Sequence, residues 1–281
     1  MLSIIIPTLG RKKQLEDLLI SIDKQEYNDY EVIIVDQNPP GYLEDIIVKF
    51  NNKFRLKHIM IYQKGAAHSR NIGSDEARGD ILFFPDDDSK LFKETISLAV
   101  ETLNKLGCDC IFGKTVDESG QDSVVNYSAT NGYLTLSDYE GKFVEATMFI
   151  KTDIFKQYYY DSSFGVGTFY GAEEAHDLVI RMLRDNRKIY YTKNIKMYHP
   201  NKILNYNDPQ EIKRVFTYRC GFAHLCIKHN MKFKLIKRII LVSLYLIFLS
   251  VFNRKKTRYY FSELLGIFSG IVIRNNNENH K

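Results

Sequence analysis

The chain has 281 residues, 44% of them apolar, which is enough to bury one large core or two ordinary ones. Its four cysteines fit no zinc-ligand spacing, which argues against a zinc-binding module, and no secretory signal precedes the first apolar run at residues 2–6, so we expect reduced thiols in a cytosolic protein. The net charge of +5 conceals an asymmetry: residues 1–211 carry 25 Lys or Arg against 32 Asp or Glu, whereas residues 212–262 carry 12 Lys or Arg and no acid.

The first part of the chain alternates between strand-like and helix-like patterns. Short apolar runs predict strands at residues 2–6, 31–36, 56–62 and 81–84. Apolar residues at helical spacing predict helices at residues 13–24, 43–50, 66–78 and 94–106. This alternation predicts an α/β fold with a mostly parallel central sheet flanked by helices, whose ligands bind beyond the carboxyl ends of the strands.

The middle of the chain is less regular. It shows strand-like stretches at residues 110–114, 143–150 and 188–191, a glycine-rich loop at 164–171, and a helical pattern at 173–186. We therefore predict one domain over residues 1–211, with a regular half at 1–107 and a less regular half at 108–211. A basic and apolar helical region follows at 212–281.

An apolar run at residues 239–252 dominates this last region, between Lys237 and Arg238 on one side and residues 254–256 on the other. Fourteen residues are fewer than the roughly 17 to 25 that a spanning helix needs. We favour a helix attached to a membrane surface, because the basic flanks suit anionic head groups. A buried core helix with solvated basic ends is the main alternative, and a true membrane span is a third.

Three consecutive acids, Asp86, Asp87 and Asp88, follow the predicted strand at residues 81–84 and its terminating Pro85. Such carboxylates repel one another unless they are solvated or a cation neutralises them. Mg²⁺ and Mn²⁺ prefer oxygen ligands and bind through one or two carboxylates together with substrate phosphates. The triplet therefore indicates a metal that holds a diphosphate, with an ordinary acidic turn as the alternative.

Six motifs occur in order at plausible spacing: SIIIPT at 3–8, VIIVD at 32–36, AHSRNIG at 67–73, GDILFFPDDD at 79–88, GAEEAHDL at 171–178 and YHP at 198–200. Together they resemble the family 2 glycosyltransferases, which have the GT-A (nucleotide-diphospho-sugar transferase) fold, and in particular those of bacterial polysaccharide biosynthesis. The resemblance extends to about residue 200. It implies that the domain at 1–211 is catalytic, with a nucleotide-binding half at 1–107 and an acceptor-binding half at 108–211. Beyond residue 200, the chain is similar to the family only in its basic and apolar character.

The resemblance implies a nucleotide site built from strand ends and one helix: Pro7, Thr8, Asp36, Gln37, Arg70, Asn71, Asp86 and Asp87. Arg70 suits a phosphate, because a guanidinium can bind it in a bidentate manner. Many relatives carry two consecutive acids where this chain has Asp36 and Gln37, which puts the usual uridine preference in doubt. Gln37 could still contact a base edge, since an amide both donates and accepts.

The resemblance also implies a metal site for Mn²⁺ or Mg²⁺ formed by Asp86, Asp88 and His199. Asp88 is the stronger candidate for direct contact, and Asp86 for the ribose or a metal-bound water. Asp87 is an alternative second ligand, because three acids in a row leave the register open. For His199 the alternative is an imidazole packed beside a tyrosine-rich surface.

A catalytic base is expected among Glu173, Glu174 and Asp177, since inverting transfer needs a carboxylate to take the proton of the attacking hydroxyl. Counted back from Asp177, the family's acidic pair would be Glu174 and Ala175, which puts alanine at the base position. A shift of one residue makes Glu173 and Glu174 the pair. We favour Glu174 as the base on this second register, because alanine cannot accept a proton.

These features predict an inverting, metal-dependent glycosyltransferase that moves a sugar from a nucleotide-diphosphate sugar to a lipid-linked saccharide. We expect it at the cytoplasmic face of the cell membrane, in bacterial surface polysaccharide synthesis. The alternatives are a non-catalytic nucleotide-sugar binder, which the alanine register favours, and a nucleotidyltransferase, which would carry more glycines after the first strand. Nucleic-acid binding by the basic tail is less consistent with the apolar run inside it. The sequence leaves the sugar, the base, the acceptor and the oligomeric state open.

Overall fold

The structure of the chain, a computed structural model, describes residues 1–201 and 204–273, without the side chains of residues 250, 251, 254 and 255. The predicted C-terminal region thus extends past the described residues, since 274–281 lie outside them. The strands are β1 Leu2–Thr8, β2 Tyr30–Asp36, β3 Arg55–Met60, β4 Ile81–Phe83, β5 Lys90–Leu91, β6 Cys110–Val116, β7 Gly132–Tyr133, β8 Met148–Lys151 and β9 Ile189–Tyr198. The helices are α1 Lys12–Asp23, α2 Glu44–Phe50, α3 Ala66–Asp75, α4 Thr95–Leu106, α5 Thr152–Tyr158, α6 Glu174–Arg184, α7 Pro209–Lys228, α8 Lys232–Phe252 and α9 Arg254–Val272.

The described strands form one sheet in the order β3-β2-β1-β4-β8-β6-β9-β5, with β7 added beside β9. Strand β1 lies between β2 and β4 and pairs with both in parallel. All seven of its residues are buried, as expected for a central strand covered on both faces. Because the chain moves away from β1 on one side to β2 and β3 and returns on the other side at β4, the strand order switches at β1. Ligands of open α/β sheets bind at such a point.

The central sheet with flanking helices confirms the α/β prediction. The expectation of a mostly parallel sheet was wrong beyond β4, where β6 and β9 are the one described pair of strands that runs in parallel. Strand β8 lies antiparallel between β4 and β6, and β5 and β7 both pair antiparallel with β9. The sequence between β6 and β8 forms no α-helix, only a 3₁₀ turn at Glu145–Thr147. Two neighbouring strands can run parallel only if a crossover connection, usually a helix, joins them. Without such a helix between them, β6 and β8 run antiparallel.

The chain divides into two compact units, of which the first comprises Met1–Lys64, His68–Tyr159 and Leu178–Lys202. Its core is formed by the apolar faces of β1 and β2 and by the buried side of α1, where Leu15, Leu18, Leu19 and Ile22 follow helical spacing. The rings of Phe83 and Phe149 stack with centroids 4.1 Å apart, which joins the parallel and antiparallel parts of the sheet.

The second unit comprises Gly65–Ala67, Tyr160–Asp177 and Ile203–Lys281, and its helices are α7, α8 and α9. Helix α9 lies tightly against α7, because Gly266 and Gly270 face the carbonyl groups of Phe216 and Cys220 with no room for a Cβ atom. Among the described residues, no helix combines the length and the apolarity that crossing a membrane requires. The predicted domain limits at residues 107 and 211 stay a prediction.

Candidate functional site

The acidic triplet lies where the strand order switches, directly after β4. Thr8 ends the neighbouring strand β1, and its hydroxyl donates a hydrogen bond to Oδ2 of Asp87 at 2.8 Å. Arg11, which precedes α1, donates from Nη1 to Oδ1 of Asp87 at 2.9 Å and to Oδ2 of Asp88 at 2.8 Å. Asp87 is thus the inward member of the triplet, with both oxygens held by the protein.

Asp87 is also the most buried side chain of the triplet. Burial raises the pKa of its carboxyl group above the ordinary aspartate value, while attraction to Arg11 and the hydrogen bond from Thr8 act in the opposite direction. In the triplet, the two flanking acids are therefore the ones left to face a ligand.

Asp86, Asp88 and His199 come together as a cluster, each offering a ligand atom within 4.8 Å of the others. The imidazole Nε2 lies 3.7 Å from Oδ2 of Asp86 and 3.4 Å from Oδ1 of Asp88. The other oxygen of each carboxylate accepts a hydrogen bond from an arginine. Oδ1 of Asp86 accepts from Arg70 at 2.9 Å, and Oδ2 of Asp88 accepts from Arg11 at 2.8 Å. One oxygen of each acid is therefore fixed, and the other is directed to the cluster.

The cluster fits a divalent cation with hard oxygen ligands. Within the described residues, the buried Oδ1 of Asp88 accepts no hydrogen bond, which is costly for a carboxylate oxygen unless another group takes it up. Nδ1 of His199 lies 3.0 Å from the carbonyl oxygen of Pro200, and because a carbonyl only accepts, Nδ1 carries the proton. This hydrogen bond leaves Nε2 as the ligating nitrogen, the usual second contact of a metal-bound histidine.

Arg70, the predicted phosphate contact, lies on α3 behind the acidic triplet. Its guanidinium is buried and contacts Oδ1 of Asp86 and Oε2 of Glu145, both at 2.9 Å. In this arrangement Arg70 orients a carboxylate of the cluster. Asn71 follows it on α3, half-buried.

Asp36 ends β2 with both oxygens engaged. Oδ2 faces Nε2 of His58 at 2.9 Å, and Oδ1 accepts from the backbone and side-chain amides of Asn38 at 2.8 and 2.7 Å. The side-chain oxygen of Asn38 in turn accepts from the backbone of Gly10 at 2.6 Å. The loops after β1 and β2 are thereby tied together, and half-buried Gln37 lies between them, with its backbone nitrogen donating to the Thr8 carbonyl.

Four residues of this region were missed by the sequence analysis: Arg11, Asn38, His58 and Glu145. A weak signal existed for Arg11 and Asn38, because each lies in a loop that follows a predicted strand. His58 and Glu145 gave none, since their partners depend on which strands are neighbours. Pro7, which was expected near the nucleoside, is buried in β1 and pairs in register with Val35.

The candidate base residues belong to the second unit. Helix α6 begins at Glu174, and Glu173 precedes it with a positive φ of 82°. Burial acts to raise the pKa of Glu173, but attraction to His176, Lys234 and Arg219 outweighs it, so the pKa is lowered. Glu173 is consequently held as a carboxylate and is a weak proton acceptor.

Glu174 lies directly beneath the glycine-rich loop. A Cβ atom on Gly165 would approach Cδ and Oε1 of Glu174 to 3.2 Å, and the φ of Gly165 is +101°. The backbone of Gly165 therefore covers the Glu174 carboxyl group as only a glycine can here. Ala175, which takes the base position on the other register, is buried.

Asp177, the third candidate, is fully buried in a separate network. Its Oδ1 lies 2.8 Å from Nε2 of His229 and 2.8 Å from Nζ of Lys228. Lys228 also contacts Oδ2 of Asp161 at 2.6 Å. These contacts join the start of α6 to the end of α7, a position suited to fixing the Glu174 turn.

Comparison with known proteins identifies the family. The model of glycosyl transferase family 2 matches residues 3–173. A GalNAc(5)-diNAcBac-PP-undecaprenol beta-1,3-glucosyltransferase of Campylobacter jejuni is 30% identical over 120 residues, covering 42% of this chain and 38% of that protein. The poly(ribitol-phosphate) beta-N-acetylglucosaminyltransferase TarS of Staphylococcus aureus is 28% identical over 123 residues, covering 42% of this chain and 22% of that protein. The matches thus span well under half the length of these relatives.

Solved structures show the same fold over most of the chain. TarS 1–349 of S. aureus in complex with UDP-GlcNAc has a TM-score of 0.64 at 18% identity, covering 96% of this chain and 81% of that one. The mannosyltransferase PcManGT of Pyrobaculum calidifontis, in complex with GDP-Man and Mn²⁺, has a TM-score of 0.59 at 16% identity, covering 79% and 63%. With the family model matching more than half of its length, the chain belongs to glycosyl transferase family 2.

Proposed function

We propose that this chain is an inverting, metal-dependent glycosyltransferase that moves a sugar from a nucleotide-diphosphate sugar to a hydroxyl group of a lipid-linked saccharide. The observation that carries the proposal is the cluster of Asp86, Asp88 and His199 at the strand-order switch. Its charge and its unsatisfied Asp88 oxygen suit a cation that in turn binds a diphosphate.

Asp86, Asp88 and His199 would hold Mn²⁺ or Mg²⁺, which when bound neutralises the charge of the departing diphosphate. Arg70 and Arg11 set the direction of the two carboxylates from behind. Arg11 is about half exposed, so it also brings positive charge to the place where an anionic donor arrives. Thr8 keeps Asp87 turned inward and out of the cluster.

Glu174 is the base that best fits the local chemistry. Glu173 is a weaker candidate, because the nearby cations lower its pKa, and Ala175 carries no acceptor. We assign to Glu174 the removal of the acceptor hydroxyl proton as that oxygen attacks the anomeric carbon. Asp177 then has a positioning role, holding the turn that carries Glu174 through Lys228 and His229.

The relatives support the substrate classes. Both curated relatives are named as enzymes that form β-linkages, and the Campylobacter name includes a PP-undecaprenol-linked saccharide. Structural neighbours bind UDP-GlcNAc in one case and GDP-Man in the other, so the base of the nucleotide is left open here. We propose a lipid-linked acceptor at the cytoplasmic face of a bacterial membrane, in surface polysaccharide synthesis.

A donor screen tests the proposal. Thermal unfolding is measured with UDP-, GDP- and dTDP-sugars, each in the presence of Mn²⁺ and of a chelator. One donor should raise the unfolding temperature in Mn²⁺ only, because a ligand stabilises the state that it binds. Asp88→Asn should abolish this shift, whereas Asp153→Asn, an exposed aspartate on α5, should retain it. Equal donor stabilisation in the chelator would contradict the proposal.

The second candidate, a nucleotide-sugar binder without transferase activity, is favoured by Ala175 at the usual base position. Donor turnover separates the two functions. For an enzyme, wild type should release nucleotide from the donor and Glu174→Gln should bind the same donor without releasing it. The wild type would instead be a binder if it bound the donor in a metal-dependent manner but released no nucleotide when extracts of the source cell were added as acceptors.

A further inference from the structure

Helix α8 carries a broad apolar face that nothing in the described structure covers. Val242 and Leu249 are buried, and they mark the side that packs against the neighbouring helices. The following large apolar side chains of the helix are each at least 39% exposed: Phe233, Ile236, Ile240, Leu241, Leu244, Tyr245, Ile247, Phe248 and Phe252. A run of this size on a soluble surface marks an interaction site.

Helix α9 carries a second, narrower face of the same kind. Phe261, Leu265, Phe268 and Val272 recur at intervals of three and four residues and are each at least 44% exposed. The opposite side of the helix packs on α7 through Gly266 and Gly270. The sequence analysis predicted one apolar run, so this second face is new.

The charge around these faces is of one sign. In the described part of residues 212–273, Glu263 is the sole acid, and it is buried between Arg219 and Arg238. The basic side chains Lys232 and Lys237 are exposed in the first two turns of α8, and Arg258 is exposed on α9. The surface that borders the apolar faces therefore offers cations without exposed acids.

We propose that α8 and α9 dock together on an anionic phospholipid bilayer, lying along its surface with their apolar faces among the acyl chains. Helix α8, at 21 residues, is about 31 Å long. No described helix meets the requirements of a span, and a helix with one exposed apolar face and basic ends suits the interface. A second copy of the chain fits less well, because a symmetric contact would bring the same cations opposite one another.

A tyrosine cluster marks one end of this surface. The rings of Tyr206, Tyr245, Tyr259 and Tyr260 pack edge to face or stacked, with centroids 4.8 to 6.2 Å apart, and Nζ of Lys256 lies 4.8 Å above Tyr206. Tyrosine and lysine together are typical of the head-group level of a bilayer. The docking does not depend on the proposed transfer chemistry, so each can fail without the other.

Vesicle flotation of the full chain tests the inference. The chain should float with phosphatidylcholine vesicles that contain one third phosphatidylglycerol, and much less with phosphatidylcholine alone. Lys232→Gln combined with Lys237→Gln should weaken binding roughly tenfold to thirtyfold, since each basic residue near an anionic surface contributes to attachment. The matched control exchanges Lys24 and Lys105, exposed lysines of the first unit, for Gln and should bind as wild type does.

The apolar contribution is tested with Leu244→Glu and Phe268→Glu combined. Flotation should be lost while the unfolding temperature and donor binding are retained. Val48→Glu with Tyr62→Glu, two exposed apolar residues of the first unit, is the control and should leave flotation unchanged. Flotation by the α8–α9 double variant at the wild-type level would overturn the inference. A second result would also overturn it: light scattering shows a dimer for the wild type and a monomer for this variant, and neither protein binds vesicles.

Discussion

The cluster of Asp86, Asp88 and His199 and the network of Asp177, Lys228 and His229 both combine aspartate with histidine, but their carboxylate oxygens contact different groups. In the first, Asp86 and Asp88 each give one oxygen to an arginine and turn the other to His199. In the second, Oδ1 of buried Asp177 is already taken by Lys228 and His229. The first cluster has an acceptor atom left for an external cation, and the second does not. Residue types alone would not separate a ligand site from a structural network here.

The largest expected effect is the loss of activity when the first cluster is broken. Asp88→Asn keeps the shape but removes the charge, so we expect transfer to fall about a thousandfold or more, since metal and electrostatic stabilisation are usually the main catalytic terms. Steady-state kinetics with the identified donor measure it. The unfolding temperature should change little, because residue 88 is half-buried. The variant loses the ion pair of Asp88 with Arg11, but it also loses the repulsion between Asp88 and the neighbouring carboxylates. A variant with wild-type turnover would show that the cluster is structural.

The second cluster should show the reverse pattern. Asp177→Ala leaves His229 and Lys228 without their buried partner, and we expect a loss of about 3 kcal/mol in the free energy of unfolding. Urea denaturation at constant protein concentration measures it. Mn²⁺ affinity should stay at the wild-type value, because the first cluster is untouched. If the variant kept full stability and lost Mn²⁺ binding, the roles given to the two clusters would be exchanged.

A glycine exchange sharpens the role of the turn that carries Glu174. Gly165→Ala puts a Cβ atom against the Glu174 carboxyl group, whereas Gly120→Ala meets no atom within 4 Å at a similarly positive φ. Both should lose about 1 to 3 kcal/mol of stability from backbone strain. Only Gly165→Ala should also lower kcat, by roughly tenfold, since a small displacement of a catalytic group has this effect. Equal kcat values in the two variants would remove Glu174 from the proposed chemistry.

The smallest effect concerns pH. Burial acts to raise the pKa of Asp161, but the hydrogen bond and attraction from Lys228 outweigh it, so its pKa is lowered. An acid with a lowered pKa contributes stability above its unfolded pKa and loses it as pH falls through the folded one. Asp161→Asn should therefore destabilise the chain more at pH 7 than at pH 3. Denaturation at both pH values measures the difference, and an equal loss at both would rule out the ion pair as its source.

Much of the first unit was predictable, because its strands and helices have strong local periodicity and its motifs follow strand ends. The strand-like stretch at 143–150 overlaps β8, but the direction of β8 was not predictable, since an apolar run does not encode whether it pairs parallel or antiparallel. The two-residue strands β5 and β7 are too short to show any period. The site contacts of Arg11, His58 and Glu145 depend on neighbours 76, 22 and 75 residues away, and no spacing rule reaches that far. The apolar face of α9 was missed because Ser262, Glu263 and Ser269 interrupt the apolar stretch, so it forms no continuous run.

The most direct test of the account is calorimetric titration of Mn²⁺ into the metal-free chain. The account predicts one site that Asp88→Asn and His199→Gln each remove and that Asp177→Asn retains. Unchanged Mn²⁺ binding in the first two variants, or a loss confined to Asp177→Asn, would contradict it.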